Sequence, residues 1–300
     1  MVVSSKVTAQ FKQVPVVDYL AARFTYLSAK EWEERVRNGR ISHNGTLCVV
    51  ETIVTQGDII AYEMPESELP PLKLEYSVLY EDEWLMGVNK PPNLLVHAKG
   101  RFVRENLIYQ LRTCHTPPMP QINLVNRLDK ETSGVILLAK DKGTLKLMSK
   151  LFRETAVSKT YLAIVHGIPQ PANGLIELPI GRIPSEDGAR FGTENAEYPK
   201  EATTKYETIS AVGEQFSLLR LMPKTGRTHQ LRVHLAAIGH PIVADKRYGR
   251  FHTTPFTRQA LHSAHTSFMH PQTKRPCRIT APLPKDMASF LQVYGVNQLE

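Results

Sequence analysis

Five consecutive aliphatic residues, Val135 to Ala139, stand between two charged segments, NRLDKETSG (126–134) and KDK (140–142). An unbroken apolar run of this length, bounded by turn signals, predicts a buried strand. Whatever the chain folds into must cover that strand and also place Arg127 and Asp129 at its mouth. Charged groups there are costly to dehydrate unless they pair or take part in chemistry. An arbitrary RLD tripeptide is usually a turn cap with a surface ion pair. The following Thr132-Ser133-Gly134 points to a tight turn, because Gly134 can take positive φ. A turn pinned to a rigid strand end is a suitable mount for a fixed carboxylate.

The chain of 300 residues has room for one large domain, or one large and one small. With 42% hydrophobic residues it can build a core, and its net charge of +8 favours a polyanionic partner. No apolar run approaches the roughly 18 residues needed to span a bilayer. The segment MVVSSKVTAQFKQ lacks the apolar centre of a signal peptide. Cys48, Cys114 and Cys277 form no CxxC pair, so a reducing compartment and a cytoplasmic location are expected.

Residues 1–66 read as a small module. Val17, Leu20, Ala21 and Phe24 recur at helical spacing. Ser28 and Glu31 form a capping-box pattern opening a second helix; Trp32 and Val36 give it an inward stripe, and Gly39 is its stop. His43-Asn44-Gly45 signals a hairpin turn between Ile41 and a strand-like TLCVVETIV (46–54). MPESELPPLK (64–73) is rich in Pro and Glu without periodicity, and residues 67–74 are assigned as a linker. From 75 to 300 strand-like and helix-like pieces alternate irregularly, an α+β pattern. VLYEDEWLMGVNKPP reads as strand, turn, strand, and Asp141 opens a helix over DKGTLKLMSKLFRE. KTYLAIVHG and FSLLRLMPKTG read as strands, and THQLRVHLAAIG runs into a helix.

Two further stretches carry reactive side chains. In KTYLAIVHG (159–167) a period of two puts Tyr161, Ala163 and Val165 on one face; such a tyrosine is commonly a core aromatic with its hydroxyl at the rim. In PKTGRTHQLRVHLAAIGHPIVAD (223–245) Gly226 marks a turn. On a strand, Arg232 would share a face with Gln230 and His234, and an Arg among apolar neighbours calls for a carboxylate. His229 and His234 are five apart, which suits neither one helix face nor one strand face. His262 and His265 could meet on a helix, but no third ligand has a matching signal, so structural histidines and no metal are expected. Neither GxxxxGK nor GxSxG is present, which leaves nucleotide-triphosphate and serine-hydrolase chemistry without support. A nucleobase deaminase would need a His/Cys zinc set, which is also missing.

Taken together, VNKPPNLLVH, NRLDKETSGVILLAK, KTYLAIVHG, TGRTHQLRVHLAAIGHPIVAD, YG and LHSAHTSFMHP resemble, in order and spacing, pseudouridine synthases of the RluA type over roughly 75–285. Residues 1–66 resemble more loosely the small αL RNA-binding module of ribosomal protein S4. The resemblance implies an α+β catalytic fold with a mixed, mainly antiparallel sheet and flanking helices. It places Asp129 at the essential aspartate, Tyr161 at the tyrosine of KxY, and Arg232 at the basic residue that pairs with the aspartate. Arg127 matches the arginine beside the flipped nucleotide. Asn126, Leu128, Thr132, Gly226, Arg227, His229 and Gln230 are the accompanying substrate-binding positions. Where the family usually has His before RLD, this chain has Asn126, which hydrogen-bonds but cannot be protonated. Arg35, Arg37 and Arg40 form a candidate RNA-facing ridge in the first module, although residues 1–66 carry a net charge of −1 and the remainder +9.

The implied reaction breaks the bond from uracil N1 to C1′ of the ribose and forms one from C5, with no oxidation and no cofactor. Asp129 is expected to be a nucleophile or charge stabiliser, shielded from water and kept ionised by Arg232. Tyr161 is expected to stack on the base or relay a proton, and the uridine must leave its stack to react. Large-subunit ribosomal RNA is the expected substrate because the fused module is common there, with transfer RNA as the alternative. A non-catalytic RNA-binding or ribosome-assembly factor is the reading from another class; loss of Asp129, Tyr161 or Arg232 would have favoured it. A monomer without membrane attachment is expected.

Overall fold

The computed structural model describes residues 2–63, 76–98, 104–184, 190–249 and 256–296. The linker assigned to 67–74 lies outside the described residues. Two compact units emerge: Met1–Lys73 with His97–Gln110, and Leu74–Val96 with Leu111–Glu300.

The first unit contains β1 (Val2–Lys6), β2 (Val14–Pro15), α1 (Val16–Arg23), α2 (Ala29–Arg37), β3 (Ile41–His43), β4 (Thr46–Leu47), β5 (Ile53–Val54) and β6 (Ile59–Glu63). Its strands form a sheet in the order β1-β6-β3-β4 and a separate pair, β2 with β5. Ser28 and Glu31 close the capping box that opens α2. Asn44 and Gly45, both at positive φ, make the two-residue turn joining β3 to β4. TLCVVETIV is not one strand: only Thr46–Leu47 and Ile53–Val54 pair, and Thr52 bonds back to Val49 in the bend between them. Tyr19, Leu20, Trp32, Val36, Ile41 and Tyr62 fill the core.

In the second unit β7 (Ser77–Glu81) and β8 (Leu85–Lys90) form a hairpin, and β9 (Asn123–Leu124) comes later in the chain; α3 (Leu107–Thr113), between them in sequence, has Leu107–Gln110 in the first unit and the rest in the second. There follow β10 (Ser133–Ala139), α4 (Lys142–Arg153), β11 (Ser158–His166), β12 (Asn173–Glu177), β13 (Ile180–Ile183), β14 (Arg190–Gly192), β15 (Glu197–Lys200), β16 (Thr203–Val212), β17 (Phe216–Pro223), α5 (Gln230–Ala237), β18 (Leu261–Met269), β19 (Pro276–Thr280) and α6 (Lys285–Val293). Among the described residues, ten strands make one sheet, in the order β12-β16-β17-β11-β18-β10-β8-β7, with β19 on β18 and β9 on β10. Its pairs are antiparallel except β10 with β18. The fold is therefore α+β on a mixed, mainly antiparallel sheet.

The aliphatic run is the centre of this sheet: every residue of β10 is buried. Val135, Leu137 and Ala139 pack with Leu85, Val157, Phe268, Ile279 and Met148 of α4, whose N-cap Asp141 accepts from the Thr144 N–H. Burial of each of these side chains larger than alanine contributes about 1.5–3 kcal/mol. Farther along the sheet Ala163, Val165, Leu219 and Leu221 pack with Leu231 and Leu235 of α5 and Met287 and Leu291 of α6.

Gly134 makes the start of β10 possible. Its φ is +106°, and a Cβ there would lie 2.1 Å from the Ser263 carbonyl oxygen. Only glycine lets β10 lie this close to β18, where Ser133 pairs with His262. His262 and His265 lie on β18 rather than on a helix; Ser133 Oγ donates to His262 Nδ1 (3.0 Å), and Thr280 Oγ1 bonds to His265 Nδ1 (2.9 Å).

Candidate active site

The segment entering the catalytic turn is zipped to β10. Val125 N–H donates to the Leu137 carbonyl (2.9 Å), and Leu137 N–H donates to Asn126 Oδ1 (2.8 Å). Thr132 N–H then closes the turn on the Asp129 carbonyl (3.1 Å). Three buried side chains hold the turn from below. Lys90 Nζ donates to the Lys130 carbonyl (2.9 Å), Arg258 Nη1 to the Glu131 carbonyl (3.2 Å), and Gln259 Nε2 to Thr132 Oγ1 (2.7 Å). These bonds tie the backbone on both sides of Asp129 to the sheet and to the segment before β18.

The guanidinium facing Asp129 comes from α5. Arg232 Nη1 donates to Asp129 Oδ2 (2.7 Å). Its other edge is bidentate on Asp245, with Nε to Oδ2 at 2.7 Å and Nη2 to Oδ1 at 2.8 Å. Arg232 is on a helix rather than a strand, because the chain reverses at His229, which takes the left-handed conformation (φ 56°) as N-cap of α5. Within that helix Gln230 and His234 are buried and bonded to the chain itself. Gln230 Oε1 accepts from Thr225 Oγ1 and the Arg227 N–H, and its Nε2 donates to Thr203 O and Thr204 Oγ1. His234 bridges Thr204 and the Leu178 carbonyl.

These elements surround a cavity of about 490 Å³, a size that suits a small ligand, and its walls include all eleven positions that the motifs nominate for catalysis or substrate binding: Asn126, Arg127, Leu128, Asp129, Thr132, Tyr161, Gly226, Arg227, His229, Gln230 and Arg232. They do not present themselves equally. Arg127 is exposed, whereas Leu128, Thr132 and Gln230 are buried and shape the wall. Arg35, Arg37 and Arg40 belong to the first unit. Arg35 lies over the Trp32 ring and Arg37 pairs with Glu33.

The electrostatics differ from expectation in one respect. The Asp129 side chain is 33% accessible, so it is not shielded from water; the cavity opens towards it. Asp245, by contrast, is fully inaccessible. Burial opposes the charge on Arg232, but the hydrogen bonds and charges of Asp245 and Asp129 push its pKa up, so it stays a cation. Burial would raise the Asp245 pKa, yet Arg232 and the N–H groups of Arg247 and Tyr248 hold it low. Tyr161 stands on β11 beside an irregularity in the β11–β18 register, where it pairs with Ser263 and the preceding Thr160 pairs with His265. Burial pushes its hydroxyl up to about 12, with Ser263 working against this and Asp129 adding to it, so Tyr161 is a neutral phenol at neutral pH. Burial likewise lowers the pKa of His229, whose Nδ1 meets Tyr248 Oη at 2.7 Å and whose Nε2 lies 3.8 Å from Asp129 Oδ1.

The motif positions omitted Asp245, Lys90, Arg258, Gln259, Tyr248 and Lys159, the last a cation in the cavity wall. Asp245 had a sequence signal: like Asp129, it is a carboxylate beside an aliphatic run, PIVAD.

The model of the RNA pseudouridylate synthase family matches residues 85–237. The chain belongs to this family. It is 31% identical over 284 residues to an uncharacterized RNA pseudouridine synthase of Bacillus subtilis (strain 168), covering 91% of this chain and 92% of the relative. To the ribosomal large subunit pseudouridine synthase C of Pasteurella multocida (strain Pm70) it is 33% identical over 280 residues, covering 89% and 83%. Among solved structures, human RNA pseudouridylate synthase domain containing 1 superposes with a TM-score of 0.60 at 27% identity, over 74% of this chain and 90% of that one. As an RNA pseudouridylate synthase the protein is an isomerase that turns uridine in RNA into pseudouridine. None of its described helices is long and apolar enough to cross a membrane.

Proposed function

We propose that the protein isomerises specific uridines of large-subunit ribosomal RNA, with Asp129 as the nucleophile and the target nucleotide flipped into the cavity. The observation that carries this reading is the 2.7 Å contact between Arg232 and Asp129, residues 103 positions apart in the chain, at the wall of a cavity. A nucleotide entering the cavity would displace water from the exposed part of Asp129, so desolvation accompanies substrate binding. The N1–C1′ bond breaks, C5 bonds to C1′, and the proton leaving C5 is balanced by one gained at N1. Tyr161, held as a phenol, stacks on the uracil and can donate a hydrogen bond but is a poor base in this state. Arg127, exposed at the rim, fills the gap in the RNA stack or contacts phosphate.

The name of the Pasteurella relative supports the ribosomal target, and transfer RNA is the second candidate. The net charge of +9 on the chain beyond residue 66 suits a polyanion. In the same reading, residues 1–66 form an S4-like RNA-binding domain, 67–74 a linker and 75–300 the catalytic domain of a cytoplasmic monomer. Asn126 holds the turn onto β10 by accepting from the Leu137 N–H and takes no part in proton transfer. Pseudouridine maps of total RNA from cells with and without the gene test the target: loss of large-subunit sites is expected, and loss confined to transfer RNA would contradict it.

A further inference from the structure

Arg232 faces two carboxylates that differ in every respect except their distance from it. Asp245 is inaccessible, takes two of the guanidinium donors, and is itself fixed by N–H groups of Arg247 (3.0 Å) and Tyr248 (3.1 Å). Asp129 is partly open and takes one donor. The turn that carries Asp245 is tight: Ala244 is at positive φ, and a Cβ at Gly249 would lie 2.5 Å from the Asp245 carbonyl oxygen. The Tyr248 ring lies over the guanidinium, 5.0 Å from its carbon. The cation is therefore fixed along one edge and one face before Asp129 is considered.

We infer that Asp245 is a positioning residue for the isomerisation: it orients Arg232 so that a single N–H reaches Asp129, and it neutralises most of the guanidinium charge. The inference rests on Asp129 being the reacting carboxylate. A bare arginine at 2.7 Å would hold Asp129 ionised but would also withdraw its electron density, making a poor nucleophile. With Asp245 present, the three groups sum to one negative charge, which remains on Asp129. Its other oxygen, Oδ1, lies 3.8 Å from His229 Nε2.

The titratable and charged groups close enough to interact with Asp129 are Arg232 and His229 on the α5 side, Tyr161 from β11 and Lys90 from β8, with Asp245 on the far edge of Arg232. Asp245→Asn removes one negative charge while keeping the side-chain size. The expected result is a single-turnover rate lowered about 10–100-fold, with RNA affinity unchanged. The acid limb of the rate profile should move to lower pH, because the Arg232 charge is then no longer offset by Asp245. An acid limb that stays in place would overturn the inference, since a merely loosened site lowers the rate without moving it.

Arg232→Lys gives a second reading that holds even if Asp245→Asn fails to fold. A lysine has one compact ammonium, and the buried Asp245 should capture it. Arg232→Lys is therefore expected to be as impaired as Arg232→Gln; retention of most activity by the lysine variant would overturn the inference. If Asp129→Asn keeps full activity, the reading of the reaction itself fails. If Asp129→Asn is inactive while Asp245→Asn leaves the acid limb in place, only the role of Asp245 fails.

Discussion

Lys90 Nζ donates to the carbonyl of Lys130, the residue after Asp129, at 2.9 Å. The same ammonium reaches the Pro91 carbonyl (2.7 Å) and the Leu94 carbonyl (3.1 Å), so a lysine with no accessible surface has all three N–H donors placed. Lys90→Met keeps the apolar stem but leaves three carbonyls without this partner. A loss of about 2–4 kcal/mol is expected in urea denaturation, the cost of stranding buried acceptors. A loss below about 0.5 kcal/mol, the range of ordinary surface substitutions, would show that Lys90 does not hold the turn.

Gly134→Ala tests the approach of β10 to β18. The added Cβ would meet backbone, the Ser263 carbonyl oxygen at 2.1 Å, at a φ of +106°. Neither side can yield without opening the parallel pairing, so a destabilisation of about 3 kcal/mol or more is expected. A melting temperature equal to that of the wild type would contradict this placement.

Asn126→Ala removes the acceptor for the Leu137 N–H and should cost about 1–2 kcal/mol. Asn126→His retains an acceptor in a ring nitrogen and should cost less than half as much. Equal losses in the two variants, measured by the same denaturation, would remove the hydrogen bond as the reason for Asn126.

His262 makes stability depend on pH. Its ring has no accessible surface, accepts from Ser133, and burial pushes its pKa down to about 4. Between pH 4 and its ordinary value of 6.5 the unfolded chain binds the proton and the folded chain does not. Stability from this group is therefore complete above 6.5 and falls as pH drops towards 4. At pH 5 the loss is about 2 kcal/mol. In His262→Gln the decline from pH 7 to pH 5 should be shallower by that amount, and an identical decline would contradict the assignment.

Local signals in the sequence located much of this fold. The Ser28–Glu31 box, the Asn44-Gly45 turn, the Asp141 cap and the aliphatic β10 depend on neighbours within a few residues, so they can be read without the rest of the chain. The bend inside TLCVVETIV was hidden because β-branched residues favour a strand whether or not a partner strand is available. The helix that carries Arg232 was legible in THQLRVHLAAIG, but its start was not: it depends on a left-handed His229, a conformation that composition does not announce. At the site, the motif stretches carried Asp129, Tyr161 and Arg232. Lys90, Arg258 and Gln259 were beyond such reading, since each acts on residues 129–132 from 40 or more positions away. The exposure of Asp129 was also beyond it, because accessibility belongs to the cavity rather than to any segment.

Tritium release from C5-labelled uridine in RNA, comparing the wild type with Asp129→Asn, tests the central claim most directly. Asparagine keeps the size and a hydrogen bond to Arg232 but has no anionic oxygen. The expected result is RNA binding at wild-type strength with no tritium release above background, and release near the wild-type rate would contradict the role of Asp129.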